Sequence, residues 1–273
     1  MEPTYVLGAM AITLRRTLGL TEQAAPSHPS LLETAHRPWP LPHLPWIGRQ
    51  SWHDLLFAHW AAPASALRSY VPHGLALQEK DGASWVGVTC FRLSDLSARG
   101  LPELPLVGHF LELDVRLYVE KDGKPGVWFL SLDASSAVAV AGARVLLNLP
   151  YAHALMTMGE KDGTFRFASV RRRGAPARFG AEYRAAGAVR TPSPGSLEHF
   201  LTERYCLYTR LPGCRLARVD LHHAPWPLQE ASATVDATDL FAAHALPITG
   251  PPARVHFCGR QDVISWPPAL TRA

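Results

Sequence analysis

Residues 110–134 read FLELDVRLYVEKDGKPGVWFLSLDA, two apolar-rich runs joined by Lys121-Asp122-Gly123-Lys124. Asp-Gly supplies the positive φ angles that a tight two-residue turn demands, so the stretch predicts two strands folded into a hairpin. Along the first run Leu111, Leu113, Val115, Leu117 and Val119 fall on one face, and Glu112, Asp114, Arg116 and Tyr118 on the other. The tetrapeptide EKDG recurs at Glu79–Gly82 and Glu160–Gly163, again between strand-like runs, and the flanking residues share nothing else. Three hairpin tips are predicted, rather than a duplicated module or a catalytic motif.

Outward from this hairpin, strand-like segments dominate: ASWVGVTCFRL (83–93), TFRFASVRR (164–172), ARFGAEYRA (177–185), CRLARVDLHH (214–223) and ARVHFCGRQDVISW (253–266). The stretch SWHDLLFAHWAAPASALRSYVP (51–72) fits helices, or a short strand plus a helix, ended by Pro72 and Gly74. Two further helices are predicted. One covers SSAVAVAGARVLLN (135–148); the other covers GSLEHFLTERYCLYTR (195–210), with Ser196 as cap and Leu197, Phe200, Leu201, Tyr205 and Tyr208 on one face. Many strands with few helices predict an α+β barrel or sandwich-like sheet, not a doubly wound parallel sheet. Residues 1–20 suit a short amphipathic helix and proline-rich residues 24–46 an extended arm, so 1–46 is set apart from a single domain over 47–273.

Composition narrows the classes of function. With 273 residues, 47% of them hydrophobic, the chain can fill a sizeable core. A formal charge of +4 is small for this length, and the triplet Arg171–Arg173 comes without aromatic interleaving, so nucleic acid is not expected as a partner. No apolar run approaches the ~18 residues of a membrane helix, and MEPTYVLGAMAITLRR carries its charge on the wrong side for a secretory signal. A soluble cytoplasmic protein away from membranes is expected. Cys90, Cys206, Cys214 and Cys258 show no CxxC spacing, which predicts reduced, buried thiols. Thirteen histidines without HExxH or a Cys/His pattern predict no metal, and the absence of GxGxxG and GxxxxGK[ST] leaves no cofactor implied.

The four lysines, Lys80, Lys121, Lys124 and Lys161, all sit in or beside an EKDG turn. Water there solvates the ammonium group, whereas an imine-forming lysine must be desolvated or set beside another cation. None is equipped for that chemistry.

The segments WHDLLFAHW (52–60), 110–156, SLEHFLTERYCLYTR (196–210) and HHAPWPLQ (222–229) together resemble the YqjF-like family of uncharacterised proteins, over about Ser51 to Trp266. That family is similar in turn to the acetoacetate decarboxylase superfamily. The resemblance implies a mainly antiparallel β-barrel-like sheet around a central pocket, with a few helices packed outside. Its elements read here as Glu112, Gly123-Lys124-Pro125-Gly126, Leu132-Asp133, Gly142-Ala143-Arg144 and Pro150-Tyr151. Where the decarboxylase pattern has its Schiff-base lysine this chain has Tyr151, and Val145 replaces the glutamate that follows the arginine. The resemblance therefore does not carry the imine reaction over.

Candidate residues follow from both lines. Glu112 is the candidate acid or base, with Tyr151 and His59 as further proton-handling groups. Arg116, Arg144, Tyr208 and His222 are candidate ligand-binding residues. Arg144 sits in an otherwise apolar segment, where a buried guanidinium would need an anion such as Glu112 or Asp133. Two readings stay open: a protein binding a small anionic or carbonyl-bearing metabolite, with any catalysis a lyase-type proton transfer without an imine; or a non-enzymatic binding or assembly protein with a structural polar network. Sheet edges and the Trp-Pro arm offer surface for a homodimer under either.

Overall fold

The computed structural model of the chain describes residues 28–101, 103, 108–172, 174 and 177–271. The predicted helix over 1–20 lies outside them. Thirteen strands run in chain order as β1 (Gly48–Ala62), β2 (Ala76–Leu77), β3 (Ser84–Ala98), β4 (Phe110–Lys121), β5 (Lys124–Ala134), β6 (Tyr151–Lys161), β7 (Thr164–Arg171), β8 (Arg178–Arg190), β9 (Cys206–Leu211), β10 (Arg215–His222), β11 (Leu228–Asp236), β12 (Arg254–Ser265) and β13 (Ala269–Leu270). Four short helices, α1 (Ala64–Leu67), α2 (Ala137–Leu147), α3 (Leu197–Thr202) and α4 (Thr238–Ala243), interrupt them. The fold is α+β and largely antiparallel; the parallel pairings are β5 with β6 and β5 with β9.

All three EKDG segments are turns with two consecutive left-handed residues: Asp81 and Gly82, Asp122 and Gly123, Asp162 and Gly163 have φ between 52° and 77°. The second and third tip the β4–β5 and β6–β7 hairpins, and at the first Lys80 bridges Ala83. The aspartate accepts the left-handed region more readily than most side chains, and glycine does so without a Cβ penalty.

The sheet closes twice. Strands β5, β6, β7, β8, β11, β12, β1, β3 and β4 form one ring. A second runs through β5, β9, β10, β12, β1, β3 and β4, because β10 also pairs with the end of β12. The wall β12–β1–β3–β4–β5 is common to both. Its two faces have different company: Leu113, Val115 and Leu117 pack in one cluster with Phe167, Phe179 and Tyr183 of β7 and β8. Tyr118, Val127 and Leu132 pack with Leu207 of β9, Val219 of β10 and Leu201 of α3. Strand alternation thus sends every second residue of β4 into a separate environment.

Of the two readings left open for residues 51–72, the strand followed by a helix is the one observed, with a longer strand than expected. Residues 51–62 belong wholly to a strand, β1, and the short helix comes only after Pro63. Two other expectations need correction. The helix expected over 195–210 ends at Thr202, and Tyr205 and Tyr208 are not on a helical face. Glu203 stops it: its carboxylate accepts from the Trp226 backbone N–H at 3.0 Å and from the Tyr205 hydroxyl, which turns the chain into β9. Of the thiols, Cys90, Cys206 and Cys258 are buried, but Cys214 is exposed in the β9–β10 turn. Among the described residues no helix is long and apolar enough to cross a membrane.

The proline-rich segment 28–46 lies against the outside of β9, β10 and β12. Arg37 donates to the Leu221 carbonyl at 2.6 Å and stacks over Tyr205, and the Trp39 indole donates to Asp220. Trp46 packs with Ile264 and Trp266.

Candidate functional site

The polar face of β4 builds the site. Register puts Phe91 opposite Glu112, Thr89 opposite Asp114 and Gly87 opposite Arg116 on β3, with Phe57 and His59 of β1 opposite Thr89 and Gly87. His256 of β12 stands opposite Phe57, and Tyr151 starts β6 beside Leu132. These residues share one face of the wall, where Phe57 and Phe91 pack with Val140 of α2 and Trp226, and Tyr151 also packs against the cluster of β9, β10 and α3. The alternation expected for Glu112, Asp114, Arg116 and Tyr118 is present, and a register irregularity between Val115 and Arg116 shifts the partner on β5.

The Tyr151 hydroxyl donates to Glu112 Oε2 at 3.0 Å. Burial, and then the neighbouring Asp114 charge, push the Glu112 carboxyl up to about 8, while the Tyr151 hydrogen bond works weakly the other way. Asp114 is raised to about 6 by burial, opposed by Arg116. The nearest approach of Arg116 Nε to Asp114 Oδ1 is 3.9 Å, too long for a hydrogen bond. The Arg116 guanidinium lies over the Phe57 ring at 5.3 Å.

His59 is wholly buried, with Nε2 2.8 Å from the Tyr118 hydroxyl. Burial, then the Arg116 and His256 charges, hold its imidazole well below the ordinary value, so it is neutral. Gly87 makes room for this group. A Cβ there would stand 2.8 Å from the Tyr118 hydroxyl and 3.2 Å from Arg116 Cγ and Nε. Arg204 covers the other side of Tyr118 at 5.1 Å, itself held by Gln78 and the Phe200 carbonyl.

Among the described residues, several buried atoms of this face have no hydrogen-bond partner in the protein: His59 Nδ1, Thr89 Oγ1, Asp114 Oδ1, Arg116 Nε and both ring nitrogens of His256. Buried polar atoms are nearly always paired, and leaving one unpaired costs about 1–3 kcal/mol. Six such atoms are gathered on this one face.

Four of the residues singled out from sequence, Glu112, Tyr151, His59 and Arg116, meet here; the other three stand elsewhere. Arg144 is exposed on α2 and donates from Nε to the Tyr151 carbonyl at 2.6 Å, not to Glu112 or Asp133. Asp133 is paired instead with Arg171, which donates to both carboxylate oxygens on the opposite face of the wall. Tyr208 also points to that opposite side, donating to the Lys121 and Lys124 carbonyls and lining an outer cleft of 240 Å³ with Trp128 and Arg210. His222 faces the N-terminal arm, between the Ser30 carbonyl and Arg37. Thr89, Asp114, Tyr118 and His256 complete the site and were not selected from sequence; the period-two alternation that places Asp114 and Tyr118 beside Glu112 was the available signal. None of the four lysines is buried, and Lys124 caps the Trp39 ring at 5.6 Å. Among the described residues no group of three His, Cys, Asp or Glu side chains is placed to hold a metal ion.

Comparison with known proteins agrees with this architecture. Residues 49–262 match the model of DUF2071, described as an uncharacterized conserved protein. The chain is 40% identical over 222 residues to the uncharacterized protein YqjF of Bacillus subtilis (strain 168), covering 81% of this chain and 91% of that one. Its fold resembles the crystal structure of acetoacetate decarboxylase from Legionella pneumophila with a TM-score of 0.59 at 12% identity, over 93% of this chain and 98% of that one. It also resembles the enduracididine biosynthesis enzyme MppR complexed with pyruvate, with a TM-score of 0.51 at 15% identity, over 86% and 91% of the two chains. These likenesses are of fold.

Proposed function

The chain belongs to the DUF2071 family of uncharacterized conserved proteins, and from that premise we propose that its barrel binds a small anionic or carbonyl-bearing molecule against the Glu112 face of β4. The observation that carries this reading is the set of buried, unpartnered atoms at Asp114 and Arg116 on β4, Thr89 on β3 and His59 on β1, three neighbouring strands of the shared wall. Pyruvate in the MppR complex lends it support, since that enzyme has the same fold.

The chemistry available is proton transfer. Glu112 holds its proton near neutrality, within reach of the Tyr151 hydroxyl, and can give or take one at an atom beside a carbonyl. Arg116 stabilises the negative charge that develops. Dehydration, enolisation or a decarboxylation without an imine all fit these groups. Imine formation does not, because every lysine stands at a turn and Tyr151 occupies the position after Pro150.

A second reading, a non-enzymatic binder with a structural polar network, draws on the mutual pairing of Glu112 with Tyr151 and of His59 with Tyr118. Thermal-shift titration of wild type and Arg116→Ala with pyruvate, acetoacetate and short aromatic acids separates the two. Stabilisation by an acid, lost in Arg116→Ala, supports the binding reading; no stabilisation by any acid leaves the structural network. Borohydride treatment with acetoacetate should give no covalent adduct, and an adduct on a lysine would overturn the exclusion of imine chemistry.

A further inference from the structure

The unpartnered atoms also define what the guest must offer, an inference that rests on the binding reading above and narrows it. Arg116 Nε carries a hydrogen and can only donate. Asp114 Oδ1, ionised above about pH 6, can only accept.

The role of His59 is fixed by its neighbour. The Tyr118 hydroxyl is fully buried, and the guanidinium beside it cannot accept a hydrogen. Arg116 can only donate to it, and among the described residues the hydrogen-bond acceptor within its reach is His59 Nε2 at 2.8 Å. Were Nε2 to donate, the tyrosine hydrogen would be left buried without an acceptor, so the tyrosine donates and the hydrogen of the neutral imidazole resides on Nδ1. That Nδ1 has no partner in the protein. The face therefore presents two fixed donors, Arg116 Nε–H and His59 Nδ1–H, the hydroxyl of Thr89, and an obligate acceptor, Asp114 Oδ1, 3.9 Å from Arg116 Nε.

A simple carboxylate or a keto acid offers acceptors alone. It would satisfy the two donors and leave Asp114 facing a second oxygen lone pair. A molecule with a hydroxyl next to its carboxylate matches both kinds of group, and two neighbouring oxygens can bridge protein atoms at that separation. We propose that the ligand is a short hydroxy acid, its carboxylate accepting from Arg116 Nε–H and His59 Nδ1–H and its hydroxyl donating to Asp114 Oδ1. Tyr118 is a positioning residue, setting which nitrogen of His59 carries the hydrogen. Glu112 lies two residues along the same face from Asp114.

Calorimetric titration with two matched sets tests this: lactate, pyruvate and propionate; 3-hydroxybutyrate, acetoacetate and butyrate. In at least one set the hydroxy acid should bind at least about tenfold more tightly than its keto and unsubstituted counterparts, because a site built around a hydroxyl leaves buried groups unpaired without it. In Asp114→Ala the preference should shrink to within about twofold, and in Arg144→Ala it should persist. Keto acids binding as well as or better than hydroxy acids in wild type would overturn the assignment and leave the broader binding reading standing; no binding in either set would remove both. Should Asp114→Ala fail to fold, the wild-type comparison alone decides. The tautomer has its own readout: long-range proton–nitrogen NMR of His59, identified by its loss in His59→Gln, should place the hydrogen on Nδ1. A hydrogen on Nε2 would overturn the donor role whatever the titrations give.

Discussion

The Tyr151 hydroxyl donates to Glu112 at 3.0 Å, and the carboxylic acid that receives this bond is pushed up to about 8. Tyrosine follows Pro150 at the start of β6, so the wall is served there by a phenol that keeps its hydrogen. Burial, and then Glu112, raise the Tyr151 phenol well above its ordinary value.

A pH dependence of stability follows. Between pH 4.5, the ordinary value, and about 8 the unfolded chain ionises Glu112 while the folded chain keeps the proton. The unfolded state then binds fewer protons, so stability falls as pH rises, by at most about 1.4 kcal/mol per unit from this group. Asp114 adds a loss of the same sign between 3.8 and about 6. In urea unfolding, Glu112→Gln should gain steadily on wild type across that range. A constant offset between the two curves would mean that Glu112 is ionised in the folded protein.

Gly87 is the floor under Arg116 and Tyr118. Gly87→Ala sets a Cβ 2.8 Å from the Tyr118 hydroxyl, which is tied to His59 and cannot swing away cheaply. A destabilisation of about 1–3 kcal/mol in thermal or chemical unfolding is expected, as for other overpacked sites. A variant as stable as wild type would show that the Tyr118–His59 pair is loosely held.

Two arginine pairings should behave oppositely. Asp133 is fully buried with Arg171 as its partner, and Asp133→Ala leaves a guanidinium almost without solvent, at a cost of about 3–5 kcal/mol. Arg144 is exposed, so Arg144→Ala should change stability by less than about 1 kcal/mol. Denaturant midpoints of the two variants check both. A large loss in Arg144→Ala would indicate that its bond to the Tyr151 carbonyl shapes the β6 terminus.

Acid should loosen the segment 28–46. Burial holds His222 down to about 4, where its Nδ1 accepts from Arg37 and its Nε2 donates to Ser30. Because the unfolded histidine protonates near 6.5, this group's stabilisation is lost progressively as pH falls from about 6.5 to 4. Limited proteolysis should show cuts within 28–46 appearing over that range before cuts in the barrel, and Arg37→Ala should bring them to neutral pH. Simultaneous loss of both regions would mean that arm and barrel unfold as one unit.

Much of the fold was legible because its signals are local. Asp-Gly at 81–82, 122–123 and 162–163 fixes three turns by backbone preference alone, and alternation in 110–119 separates Glu112, Asp114, Arg116 and Tyr118 from the leucine face. What depends on distant partners was not legible. The 3.6-residue spacing of Leu197, Phe200, Leu201, Tyr205 and Tyr208 suits a helix, but residues 206–211 gain edges to pair with on β5 and β10, and Glu203 is held by Trp226 far along the chain. Tertiary pairing outweighs local propensity there. Arg144 was expected inside because its neighbours are apolar, yet α2 rests on Val140 and leaves Val138, Val145 and Leu146 in solvent. Nothing in the sequence states that one wall has two occupied faces, which is why Tyr208 and His222, in blocks that carry the family resemblance, point away from Glu112.

A single partition separating two compartments ties their linings together. Slipping β4 by one residue against β3 would deliver the carboxyls and the guanidinium among Phe167 and Tyr183 and turn leucine and valine side chains toward His59, exchanging the contents of both compartments at once. Within the strands of this wall, insertions and deletions are absorbed most readily where register is already broken, between Arg49 and Ser51, between His53 and Leu56 and between Val115 and Arg116, so drift in length has three narrow outlets.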